Sequence, residues 1–211
     1  MADREKIKKD AQEQLELFRK SGKGNTETKA EITRLIEEKI TNNSKLSKAV
    51  NWDEMFFQKI PPPGQEREKC IAEFIYKIIE ICGKGANRYF YDWISLTRDG
   101  MVFCVGKSSF SIYPNSKRLY IGDIFTSFTE EELNKCRPSI PDEIILSVIA
   151  QDVTPPYTRE IVEMAYNFLT EVIIIPLNVD NDEEALAIET EIGNLLINNC
   201  VPILNKESHL R

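Results

Sequence analysis

The run VIIIPLNV, from Val172 to Val179, is the most strand-like stretch of this chain. β-branched residues at that density favour a pleated, packed backbone. The acidic turn DNDEE follows, then a helix-like run, ALAIETEIGNLLINN, and the segment closes on VPILN from Val201 to Asn205. Within the helix, Glu189 follows Ile188 and has Leu186, Ile192 and Gly193 at helical-neighbour spacing. It therefore borders the apolar stripe. A carboxylate at the edge of a buried stripe needs a partner, and a metal ion is one candidate. Glu191 lies on the other border and is the alternative.

The rest of the chain sets the frame. Its 211 residues fit one domain with an appendage or two small domains. Hydrophobic residues make up 42% and charged residues 29%, as in ordinary globular proteins. No apolar run approaches the roughly 20 residues of a membrane span. The start, MADREKIKKD, is charged and has no apolar h-region, so no signal peptide is expected. The five cysteines are scattered and form no CxxC, which predicts reduced thiols in a cytoplasmic protein.

A net charge of −7 argues against indiscriminate binding to nucleic acid. Its distribution says more. Gly83 to Gly122 holds six basic residues against two acidic ones, whereas Gln151 to the end holds eleven acids and three basic residues. A basic strip beside an acidic helix suits a phosphate backbone meeting a metal-binding carboxylate; ordinary surface scatter is the competing reading.

Periodicity places the remaining elements. Residues 3 to 20 read as a polar helix with a thin stripe of Ile7, Ala11, Leu15 and Phe18. A second helix, Thr28 to Ile40, aligns Ile32, Leu35, Ile36 and Ile40. Three consecutive prolines at 61–63 mark a boundary, since they continue neither helix nor central strand. The following helix, EREKCIAEFIYKIIEIC, has a stripe of Ile71, Phe74, Ile75, Ile78, Ile81 and Cys82 and stops at Gly83 and Gly85. Then RYFYDWISL and MVFCVG, joined by TRDG, predict a β-hairpin. FSIYP and RLYIG are further strands or a loop, and helices are expected near 130–133, 142–150 and 158–169. The expected fold is mixed α+β: a small central sheet with a hairpin, flanked by helices. An N-terminal helical extension occupies residues 1–60, and the main domain residues 61–211.

The hairpin and the C-terminus together resemble the GIY-YIG nuclease family, over roughly Arg88 to Asn205. The chain has DGMVFCVGKSS where that family runs from its second strand into Gly-Lys-Ser, then SKRL with Arg118. It has the strand VIIIP, the glutamate-bearing AIETEIGNLLI, and PILN with Pro202 and Asn205, where the family ends on strand, helix and Pro-x-x-Asn. The restriction-enzyme-like branch is the nearest in pattern. One register sets Trp93 and Cys104 at the family's two tyrosine positions, with Tyr91 or Tyr89 as a substitute phenol. Another takes Ser111-Ile112-Tyr113 and Tyr120-Ile121-Gly122 as the two tripeptides.

The resemblance implies hydrolysis of a DNA phosphodiester with one divalent cation, Mg²⁺ or Mn²⁺, held by Glu189. A tyrosine, among Tyr91, Tyr113 and Tyr120, helps deprotonate the attacking water. Arg118 offsets charge growing on the phosphorane. Lys107 touches phosphate, and Lys117 and Asn205 help bind and orient the substrate. Cleaving both strands of duplex DNA with one site per chain implies a homodimer. The N-terminal helices embrace DNA or mediate that dimer. Three functions follow: a restriction or defence endonuclease, an inactive relative that binds DNA or protein, and an unrelated adaptor whose acidic C-terminal helix binds a partner.

Overall fold

The computed structural model describes residues 4–61, 65–83, 88–111 and 169–204. The chain begins with helices α1 (Arg4–Ser21) and α2 (Asn25–Thr41), then the single turn α3 (Leu46–Ala49) and a short 3₁₀ turn at Trp52–Glu54. Strand β1 (Phe56–Lys59) precedes helix α4 (Gln65–Cys82). The hairpin β2 (Tyr89–Thr97) and β3 (Val102–Phe110) follows, and the described chain closes with β4 (Leu169–Leu177) and helix α5 (Asp182–Asn198). The strands form one antiparallel sheet in the order β1-β4-β2-β3. This is the mixed α+β architecture expected from the sequence.

Strand β4 is flanked by β1 and β2, and Val172 to Ile175 have no exposed surface. Its unbroken apolar run is the pattern of a strand covered on both faces. On one face, Ile173, Ile175 and Leu177 join Phe90, Ile94 and Val105 beneath Ile32, Leu35, Ile36 and Ile40 of α2 and Ala185, Ile188, Ile192 and Leu196 of α5. On the other, Val172 and Ile174 join Tyr89, Tyr91 and Phe110 beneath Phe74, Ile75 and Ile78 of α4. The sheet draws strands from both sides of the proline run, because β1 precedes Pro61. β1 pairs Phe56 with Ile174 and Lys59 with Glu171. Lys29 of α2 binds Glu171 at 2.9 Å and lies over the Phe57 ring, tying the second helix to this edge.

Local chemistry explains the ends of the elements. Glu27 accepts a bond from the Gly24 N–H at 3.1 Å, closing the first turn of α2. The hairpin turn needs glycine at position 100 twice over. Its φ is +93°, and a Cβ there would lie 2.2 Å from the backbone of Asn25, so α2 starts against the turn. In α1, Gln14 is buried where the expected stripe has the half-buried Leu15, because its side-chain oxygen accepts the Ile203 N–H at 3.3 Å. Beyond α5, Val201 donates to the Leu196 carbonyl and Leu204 to that of Val102, both at 3.0 Å, seating the C-terminal segment beside β3. Leu169 falls in β4 rather than in the expected preceding helix. The other helices expected near 130–133 and 142–150, and the segments FSIYP and RLYIG beyond Ser111, lie outside the described residues. No helix among the described residues is long and apolar enough to cross a membrane.

α5 ends in a Schellman turn with Cys200 at the left-handed position, φ 56°. A non-glycine residue there carries roughly 1–2 kcal/mol of strain. Cys200→Gly is therefore expected to stabilise the protein by about 1 kcal/mol, read as a higher urea midpoint at unchanged m-value. A lower midpoint would mean that the Cys200 side chain contributes more than its backbone costs.

Candidate functional site

Alternation along β2 separates two kinds of side chain. Tyr89, Tyr91 and Trp93 face α4, whereas Phe90 and Ile94 face α2 and α5. Asp92 lies between Phe90 and Ile94 in this alternation and so shares their face. It pairs across the sheet with Lys107 of β3 and Ile175 of β4. It is 0% exposed, and neither carboxylate oxygen has a hydrogen-bond partner among the described residues. An ionised carboxylate in that position is costly unless something pairs it.

Helix α5 supplies the surroundings. Asn181 caps it by accepting the Glu184 N–H at 2.9 Å, and Asp182, Glu183 and Glu184 occupy the first turn, where the helix dipole favours acids. The helix lies over β2 and β3. Glu189, half-buried, acts electrostatically on Asp92, and Lys107 acts on both. Burial pushes the Asp92 carboxyl well above the usual carboxylate range, Glu189 raises it further, and the Lys107 ammonium pulls against both. Burial also raises Glu189, again opposed by Lys107. At the N-terminal end of α5, Asp182 accepts from Lys107 Nζ at 2.5 Å and pairs with the Arg88 guanidinium. The Lys107 hydrogen bond is the main reason its carboxyl lies below the usual range. Arg88 is also held by a bond from Nε to Ser109 Oγ at 2.8 Å and by the Phe90 ring, 5.0 Å from its centre.

The structure thus joins Lys107 and Glu189, two of the residues singled out from sequence, and adds Asp92, Asp182 and Arg88. Glu191, the alternative carboxylate, turns to α2 and meets Lys39 at 3.5 Å. Tyr91 does not join the site. It is buried on the opposite face, edge-on to Phe74 with ring centroids 5.1 Å apart. Trp93 also faces α4: its Nε1 donates to Ser108 Oγ at 3.1 Å, and its ring covers Gly106, where a Cβ would lie 2.4 Å from ring carbon. Cys104 is buried with its sulfur 3.3 Å from Ser95 Oγ. Arg118, Lys117, Tyr113, Tyr120 and Asn205 lie outside the described residues. Asp92 carried a signal that the sequence reading passed over. It is the one charged residue inside the hairpin's first strand, and the hairpin register sets it opposite Lys107.

Among the described residues, no group of three or more His, Cys, Asp or Glu side chains is arranged to hold a metal ion. In comparisons with known proteins, the chain matches no family model, no curated protein and no solved structure.

The raised carboxyl of Asp92 has a thermodynamic consequence. A folded state that holds a proton more tightly than the unfolded chain is favoured below the unfolded carboxyl range, and that advantage is lost as pH rises toward the folded value. Replacing Asp92 by an apolar residue of similar size removes this penalty. Asp92→Val is expected to be more stable than the parent by about 1–3 kcal/mol near pH 7, with a smaller difference near pH 4. Urea unfolding at the two pH values measures it, and a difference that does not grow with pH would rule out an ionising, unpaired Asp92.

Proposed function

We propose that this chain is a divalent-cation-dependent endonuclease hydrolysing phosphodiester bonds in duplex DNA, of restriction or defence type and related to the GIY-YIG nucleases. The observation that carries this reading is the meeting of Asp92, Glu189 and Lys107 between the hairpin and α5. Hard cations such as Mg²⁺ and Mn²⁺ take oxygen donors. Two acids, one acting electrostatically on the other and one buried with neither oxygen hydrogen-bonded, suit such an ion. Glu189 and Asp92 are the residues that would hold it. Held there, such an ion would supply polarisation of a phosphoryl oxygen and stabilisation of the leaving oxygen.

The chain's own groups supply the rest of the chemistry. Lys107 sets an ammonium beside the carboxylate pair, where it can offset charge on a non-bridging phosphate oxygen. Arg118 is proposed to add a second cation to the phosphorane, with Lys117 and Asn205 positioning the substrate. The phenol that helps deprotonate water is assigned to Tyr113 or Tyr120, since Tyr91 points to the α4 side. One site per chain acting on both strands favours a homodimer, with the N-terminal helices against DNA or the second copy. No disulfide joins the four described cysteines, Cys70, Cys82, Cys104 and Cys200, which suits action in the cytoplasm.

One observation favours a second reading, a binding module without catalysis. The described tyrosines, Tyr76, Tyr89 and Tyr91, all lie on α4 or on the sheet face that α4 covers. A plasmid assay separates the two. Supercoiled DNA and Mg²⁺ are expected to yield nicked and linear forms, and Glu189→Gln and Lys107→Ala each to slow the reaction roughly a hundredfold or more. Salt-sensitive binding without any cleavage would favour the binding module. Undiminished cleavage by Glu189→Gln would sink the site.

A further inference from the structure

Asp182 is one carboxylate serving two cations. Its Oδ1 accepts from Lys107 Nζ at 2.5 Å and from Arg88 Nη2 at 3.3 Å, and Arg88 Nη1 meets its Oδ2. A phosphate presents a similar pair of anionic oxygens to a guanidinium fork. We infer that Arg88 and Lys107 form a binding pair for a backbone phosphate of duplex DNA, and that the Asp182 carboxylate keeps the place until the phosphate displaces it. This inference rests on the nuclease reading for its ligand.

Three features of the site support it. First, Arg88 does not depend on Asp182 for its position. Its Nε is bonded to Ser109 and its guanidinium lies over Phe90, so it stays aimed when the carboxylate leaves. Second, Asp182 is free to leave. It is half-exposed, and the cap of α5 is the Asn181 side chain, so the helix start survives its movement. Third, the location is apt. Asp182 and Glu189 are seven residues apart on one helix, two turns and roughly 10 Å along the same side. Lys107 bonds the first and acts electrostatically on the second. A phosphate on Lys107 and Arg88 therefore lies on the same side of α5 as the carboxylate pair proposed for the cation, about two helical turns from Glu189. With Asp182 in place, the site sets three carboxylates against two cations. Its removal from the pair gives a DNA phosphate both cations.

The test measures binding of a fluorescent duplex to the full chain in EDTA, by anisotropy across a range of NaCl concentrations. Asp182→Asn and Asp182→Ser are both expected to bind roughly three- to tenfold tighter than the parent. Arg88→Ala and Lys107→Ala are expected to bind more weakly, each lowering the slope of log K against log salt by about one. Inorganic phosphate, titrated against the duplex, reports the competing source. If phosphate raises the melting temperature of Asp182→Asn while duplex affinity stays at the parent value, the DNA assignment is wrong. Duplex affinity unchanged in both Asp182 variants, or an unaltered salt slope in Arg88→Ala, overturns the inference. The expected binding pattern together with no cleavage in Mg²⁺ would keep this pair and discard the nuclease; cleavage with indifferent Asp182 variants would do the reverse.

Discussion

A strand that carries Val172, Ile173, Ile174 and Ile175 in succession presents apolar side chains on both faces, and each face needs a cover. Burying one such side chain is worth roughly 1.5–3 kcal/mol, so leaving either face of β4 wet would remove a large part of a domain's stability. The covers are α4 on one face and α2 with α5 on the other. This requirement draws the N-terminal helices into the same core as the C-terminal segment. It also sets the site. α5 leaves β4 through a four-residue connection and folds back over the face shared with β2 and β3, so its polar border comes to lie above Asp92 and Lys107.

Asp92 is the exception in that layer. Its strand neighbours Phe90 and Ile94 are fully packed, and an apolar residue at 92 would continue the pattern. Instead a carboxylate is buried with two unbonded oxygens, beside a second acid that raises its proton affinity. Structural ion pairs do not explain it, because the lysine that acts on it is already bonded to Asp182. Groups that break the packing rules at a stability cost concentrate where a protein binds or reacts. The same physics gives Tyr91 the opposite standing. One position earlier on β2, alternation turns it into an aromatic cluster with Phe74 and Phe110, where it serves packing.

Much of this was legible beforehand. The change of period after Gly83, the TRDG turn, the VIIIP strand and the helix stripe of α5 each carry strong local signals, and the sheet and its flanking helices follow from them. Glu189 stood out because a carboxylate on an apolar border is conspicuous. β1 was not legible: FFQK is four residues with one half-buried polar position, and it is a strand because β4 offers an unpaired edge. The buried Gln14 was invisible for a similar reason, since its partner is the backbone of Ile203 at the far end of the chain. Asp92 and Arg88 needed register. A strand residue gains meaning only when its cross-strand partner is known, and a bulge between Ser95 and Leu96 shifts the count that would have supplied it.

The charges around Lys107 are coupled, and that coupling orders the proposed events. Lys107 bonds Asp182 and is drawn on by Asp92 and Glu189, so one ammonium answers three carboxylates. On the proposed reading, neutralising Asp92 and Glu189 with a divalent cation relieves Lys107 of two of those demands and leaves its charge for a phosphate. On the same reading, a phosphate on Lys107 and Arg88 would offset the Lys107 charge and leave Asp92 and Glu189 more attractive to a cation. Because both proposed equilibria share one lysine, whatever factor one ligand applies to the affinity of the other is returned in equal measure. On the proposed reading, the buried acid and the place-holding Asp182 are then two ends of one balance, each ligand strengthening the hold on the other.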